Sequence, residues 1–204
     1  FIDDYIDMLK NARVKSVNVS LDALSKEKFF SITKRDYFNR VLENIHLLLM
    51  NDFRVKVNVV LMRNVNDDEI LNFIAWTKKF PIHIRFIEFM PFNGNQWGKE
   101  KIVPPEEALE KIKTCHEVIK LKDKLQDTTK KYGISGHTGT FAFISTISEP
   151  FCEGCNRIRL TSDGKLRNCL FAKSETDLLT PLRKGEDIVP LIEASVYKKE
   201  FMQG

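Results

Sequence analysis

No stretch of about 18 consecutive apolar residues occurs in the 204-residue chain, so the sequence offers no membrane-spanning helix. A basic n-region followed by an apolar h-region is also missing, which argues against a secretory signal. Cysteine is scarce. Its four residues, without an export signal, point to a reducing, cytoplasmic setting where thiols serve metals or catalysis more often than disulfides. The net charge of +4 is too mild to mark a nucleic-acid binder. Internal repeats and low-complexity runs are absent as well. Apolar residues make up 43% of the chain, which excludes a disordered polymer and allows one sizeable core with a smaller appendage. The chain opens "FIDDYIDMLKNA", inside an amphipathic pattern and without an initiator methionine, and stops at "EFMQG". Both ends are therefore expected to have been cut from something longer.

What is present begins with helical spacing at Ile2, Tyr5, Ile6 and Leu9. A buried strand followed by a loop fits "VKSVNVSLDAL" over 14–24, and a helix over about 35–50 fits Phe38, Val41, Leu42, Ile45, Leu48 and Leu49. "RVKVNVVLM" (54–62) and "IHIRFIEFM" (82–90) read as strands. Between them "NDDE" (66–69) matches a capping box that opens a helix with Ile70, Phe73, Ile74 and Thr77 inward. Strands alternating with helices predict a parallel sheet with its ligand end at the strands' C-termini. Ser20–Asp22, Leu61–Arg63 and Glu88–Met90 fall at that end. After the loop "PFNGNQWGKE" the pattern changes. Pro104 and Pro105 open a charged helix to about Lys113, and 122–140 reads as an extended linker or lid. A strand over 140–148, a hairpin turning at Ser162–Asp163–Gly164 and two short helices in 174–199 complete the chain.

The most informative stretch is "CEGCNRIRLTSDGKLRNCLF", in which Cys152, Cys155 and Cys169 stand at C-x2-C-x13-C. Thiolates two residues apart can chelate one metal centre, and the hairpin brings the third back to them. Three chemistries fit: a zinc site completed by Cys115, His116 or His137, buried thiols acting as small hydrophobes, or a cubane cluster with one open iron. Arg157 and Arg159, two apart, are expected on one strand face beside the cysteines, where guanidinium groups suit phosphate or a purine edge. Lys56 lies inside an apolar strand, where a lysine is costly unless it snorkels, is paired or points at a ligand. Ser20, Asp22, Glu88 and Met90 at strand ends are ordinary packing residues unless a ligand uses them.

Together "NVSLDAL", "VKVNVVLMRNVNDDEI", "IRFIEFMPF" and "FCEGCNRIRLTSDGKLRNCLFA" resemble the GTP 3′,8-cyclases, the radical S-adenosylmethionine lyases that open molybdenum cofactor biosynthesis. The resemblance runs from about residue 14 to 185, and the cysteine–arginine block is its most specific part. It implies an α/β fold: the later half of an incomplete (β/α)6 TIM-type barrel over 1–100, then a small β-rich domain over 101–204 holding an auxiliary cluster and GTP contacts. Cys152, Cys155 and Cys169 would hold a second 4Fe-4S cluster whose open iron takes the guanine. Arg157, Ile158 and Arg159 would contact GTP, Lys56 its triphosphate, and Ser20 and Met90 would line the S-adenosylmethionine site. The C-x3-C-x2-C loop that holds a first 4Fe-4S cluster in such enzymes has no counterpart in this sequence, nor does the family's terminal pair of glycines. The chain is thus expected to be the middle and later part of the enzyme, with no catalytic residue of its own and no activity alone. The whole enzyme would turn a 5′-deoxyadenosyl radical on C3′ of GTP and close the sugar onto C8, giving 3′,8-cyclo-7,8-dihydro-GTP. The resemblance further implies a homodimer and a downstream partner, cyclic pyranopterin monophosphate synthase, with neither nucleic acid nor membrane involved. The alternatives are a zinc-stabilised binding module and a peptide-modifying radical enzyme with an auxiliary cluster.

Overall fold

A computed structural model of the chain describes residues 2–92, 94–124, 127–149, 155–172 and 174–199. They divide into two compact units, Phe1–Glu149 and Pro150–Gly204.

In the first unit a 3-10 turn and helix α1 (Ile6–Asn11) lead into strand β1 (Ser16–Ser20). Helices α2 (Lys26–Thr33) and α3 (Phe38–Met50) follow, then β2 (Arg54–Leu61), α4 (Ile70–Lys79) and β3 (His83–Glu88). Helix α5 (Pro105–Lys113) and strands β4 (Val118–Lys120), β5 (Lys130–Ile134) and β6 (Thr140–Ile144) complete it. The six strands form one sheet in the order β1-β2-β3-β6-β5-β4. β1, β2, β3 and β6 run parallel, as alternating strands and helices require, whereas β5 and β4 pair antiparallel. The sheet is therefore mixed rather than wholly parallel.

α4 buries Ile70, Phe73, Ile74 and Thr77, the i, i+3, i+4, i+7 stripe its sequence predicts. Phe73 meets Phe86 of β3 edge-on at 6.2 Å, and Phe86 stacks on Phe143 of β6 at 5.6 Å. One sheet face is thereby covered by helices, and each large side chain sealed there contributes roughly 1.5–3 kcal/mol. Alternation puts Val55, Val57, Val59, Leu61, Ile84 and Phe141 on the same covered face, all of them buried.

One helix is added to the expected elements and two local expectations are corrected. α2 was not foreseen in the sequence because it buries only Phe29; Ser25 caps it, its side chain accepting from the Lys28 amide at 3.2 Å. Asn66 does not close a capping box. Its amide nitrogen donates to the carbonyls of Asp22 and Val60, and its oxygen accepts from the Met62 amide, so the side chain ties two loops instead of a helix end. The stretch expected as a linker or lid contains β5, whose Tyr132 stacks on Phe141 at 5.3 Å and whose Gly133 and Ile134 are buried. Its many lysines hid it.

The second unit holds a three-stranded antiparallel sheet, β7 (Arg159–Leu160), β8 (Lys165–Arg167) and β9 (Thr176–Asp177), with helices α6 (Leu179–Arg183) and α7 (Val189–Tyr197). The expected hairpin is there, turning through Gly164 at φ +77°. A Cβ at this glycine would lie 2.5 Å from Cβ of Leu179, so both backbone and space demand glycine. Among the described residues no helix is long and apolar enough to cross a membrane.

Candidate functional site

The other face of the first unit's sheet carries two polar rows. Register places Asn18, Lys56 and His83 side by side, and Ser20, Asn58 and Arg85 in the next row. Strict alternation in β2 leaves Lys56 and Asn58 half-buried while their neighbours are sealed on the helical side. Arg85 donates from Nε to Asn58 Oδ1 at 2.8 Å, and His83 Nδ1 lies 2.7 Å from Thr140 Oγ1. Neither Lys56 nor Arg85 has a carboxylate partner among the described residues. Burial, followed by the charges of Arg85, Lys56 and Lys131, pushes His83 down to about 4. The face thus presents two half-buried cations and a neutral imidazole, an arrangement suited to a polyanion. Arg85, Asn58 and His83 were not singled out from sequence. Period-two alternation with Lys56 across neighbouring strands is the signal that identifies them.

Ser20 ends β1 on this polar face and is exposed, while Met90 follows β3 by two residues and is half-buried. The carbonyl of Met90 accepts from Asn95 Nδ2 at 2.8 Å. The strand-end carboxylates have structural occupations. Glu88 accepts the backbone amides of Thr146 and Ile147 at 2.7 Å each and that of Ser148 at 3.0 Å. Asp22 accepts the Val60 amide at 2.7 Å, and burial pushes its carboxyl above the ordinary range against the pull of that bond. Glu69 accepts the Leu24 amide at 3.0 Å. Arg63 donates to Glu107 of α5 and to the Ile102 carbonyl, which leaves it committed to α5 and the loop before it.

In the second unit Cys155 and Cys169 are both half-buried, and Cys152 lies outside the described residues. Burial alone would raise the Cys155 thiol, but the Arg157 amide and the Lys199 ammonium, 3.4 Å from its sulfur, hold it below its ordinary value. Arg157, Ile158 and Arg159 are exposed. The strand begins only at Arg159, so Arg157 precedes the ladder and the two do not form the expected same-strand pair. The zinc candidates belong to the first unit. Cys115 is exposed beside Thr114, and His137 is bound to Thr77 Oγ1 through Nδ1 at 2.8 Å with the His116 ring edge-on against it. Among the described residues no group of three or more His, Cys, Asp or Glu is gathered to hold a metal.

The family model for Molybdenum Cofactor Synthesis C matches residues 82–203, more than half of the chain. The chain belongs to this family. Residues 1–77 match the model of the Radical SAM superfamily. Similar curated proteins include "GTP 3′,8-cyclase, mitochondrial" of Arabidopsis thaliana, 42% identical over 94% of this chain and 50% of the relative. "Molybdenum cofactor biosynthesis protein 1" of Homo sapiens is 40% identical over 96% of this chain and 31% of its own length. "GTP 3′,8-cyclase" of Desulforamulus reducens is 39% identical over 94% of this chain and 61% of its own. The chain therefore spans about a third to three fifths of these relatives. The Molybdenum Cofactor Synthesis C match takes in the whole cysteine–arginine block and all of β3.

Proposed function

We propose that this chain is the substrate-positioning and second-cluster portion of a GTP 3′,8-cyclase, a lyase that makes 3′,8-cyclo-7,8-dihydro-GTP with a radical drawn from S-adenosylmethionine. The observation that carries the reading is the polar sheet face, where Lys56 and Arg85 stand half-buried without a carboxylate among the described residues. Half-buried cations without counter-charges are costly unless a ligand supplies the negative charge. A triphosphate does so, with Lys56 as a point charge and Arg85 as a planar fork. In this reading the mixed sheet is the later part of an incomplete (β/α)6 barrel, and its polar face is the barrel's interior. Residues 1–100 are the barrel portion and 101–204 the auxiliary half, of which β4, β5 and β6 extend the sheet.

Cys152, Cys155 and Cys169 hold a 4Fe-4S cluster. The donor set fits: Cys155 is half-buried, its sulfur already favoured as thiolate by the Arg157 amide and Lys199. When bound, such a cluster with three protein ligands supplies an iron open to a substrate atom. Arg157, Ile158 and Arg159 bind and orient GTP, and Ser20 and Met90 line the S-adenosylmethionine site. Positioning of this kind can lower barriers by about 7–11 kcal/mol when the reacting atoms are aligned. A first cluster, a homodimeric assembly and delivery of the product to cyclic pyranopterin monophosphate synthase belong to the same proposal.

The test is calorimetric binding of GTP and of guanosine. Lys56→Ala and Arg85→Ala should each weaken GTP roughly tenfold, as expected for one charge-assisted contact, and leave guanosine nearly unchanged. Arg157→Ala and Arg159→Ala should weaken GTP by a similar factor with little change in melting temperature. Wild-type affinity in all four variants would overturn the assignment.

A further inference from the structure

Lys199 is held at the end of α7, its backbone amide bonded to the Val196 carbonyl at 3.0 Å. From there its side chain runs back to the cysteine segment. Nζ donates to the carbonyl of Arg157 at 2.7 Å and to Sγ of Cys155 at 3.4 Å. An ammonium has three hydrogens and no acceptor, so both contacts are donations from the same group. No carboxylate partner competes for it among the described residues. A lysine on the surface ordinarily keeps its freedom and its hydration. This one is committed to a thiol and to the carbonyl two residues beyond it, which fixes both the sulfur's position and the direction of the chain leaving it.

We propose that Lys199 is a positioning residue for the Cys155 thiolate, an N–H···S donor that anchors the sulfur to the last helix and draws electron density from it. The inference rests on the reading that Cys155 ligates iron. Hydrogen bonds to ligating sulfur stabilise the reduced form of an iron–sulfur centre and hold its ligands in place. No sequence motif announces the contact, because 44 residues separate the two partners.

Two readouts test it in this chain. After anaerobic reconstitution, Lys199→Met should lose iron to a chelator roughly tenfold faster than wild type, the loss expected for one charge-assisted hydrogen bond. The same variant should have a lower midpoint potential by spectroelectrochemistry, while Lys199→Arg keeps both properties near wild type. Unchanged chelation rate and potential in Lys199→Met overturn the proposal. The second readout is independent of iron. In the metal-free chain, Lys199→Met should speed amide hydrogen exchange over residues 155–159 and Lys199→Arg should not; equal exchange in all three proteins overturns the anchoring role. Failure of the wild-type chain to take up iron would count against the cluster reading alone, and the exchange comparison would still decide whether Lys199 anchors the segment.

Discussion

Phe1–Glu149 seals Phe73, Phe86 and Phe141 almost completely from solvent, whereas Leu166 and Leu178 are the apolar residues buried in Pro150–Gly204 among those described. The second unit leaves Leu160, Leu182, Val189 and Tyr197 exposed instead. Small domains with few buried apolar side chains are commonly stapled by a metal or by disulfides. The first unit is held by an apolar layer between helices and sheet. In the second, the proposed cluster ligands Cys155 and Cys169 are half-buried and Lys199 donates to the sulfur of Cys155. Metal binding can supply folding free energy directly, so the proposed cluster would also stabilise the second unit.

Emptying the first unit's core should have the largest effect. Phe73→Ala should cost about 3–5 kcal/mol in urea unfolding of that unit and leave iron uptake by the second unchanged. A parallel fall in iron uptake would show that the two are not stabilised separately. Next comes Glu88→Gln, which removes the charge that three loop amides share; about 1.5–3 kcal/mol should be lost in the same assay. A loss near zero would return Glu88 to the list of candidate ligand groups. In the second unit Gly164→Ala forces a side chain into a left-handed turn against Leu179 and should cost about 1–3 kcal/mol, read as faster hydrogen exchange across β7 and β8. Wild-type exchange would mean that the hairpin yields more easily than its geometry implies.

The smallest effect concerns pH. In the folded chain His83 resists protonation down to about 4, while an unfolded histidine titrates near 6.5. Between those values the unfolded state binds more protons, so stability rises with pH there. The contribution is fully present above about pH 6.5 and is lost as pH falls through the folded value. His83→Gln should therefore flatten the decline in urea midpoint between pH 7 and 4.5, and an unaltered slope would assign the decline to other groups.

Much of this arrangement is legible in the sequence, and the exceptions have physical causes. β2 and β3 announce themselves because Val55, Val57, Val59 and Leu61, and then Ile84 and Phe86, recur at every second position as buried apolar side chains, and α4 because its apolar stripe is regular. β5 is hidden by Lys130 and Lys131, adjacent charges on opposite faces of the strand whose apolar stems let each reach out from it. Asn66 carries a helix-capping signature yet serves a loop junction, since a side-chain amide can satisfy whichever backbone groups approach it. The cysteine–arginine block was recognisable from spacing. Arg85 and Lys199 were not, because one depends on strand register and the other on a contact between segments far apart in the chain.

Iron held by Cys152, Cys155 and Cys169 is proposed to do for the second unit what the apolar core does for the first. Metal analysis of the anaerobically reconstituted chain tests it most directly. The protein should be brown with about four irons per chain, the content of a thiolate-bound cubane, and should lose that iron in Cys155→Ser and Cys169→Ser. A colourless protein carrying one zinc per chain, or iron content indifferent to both substitutions, would contradict it.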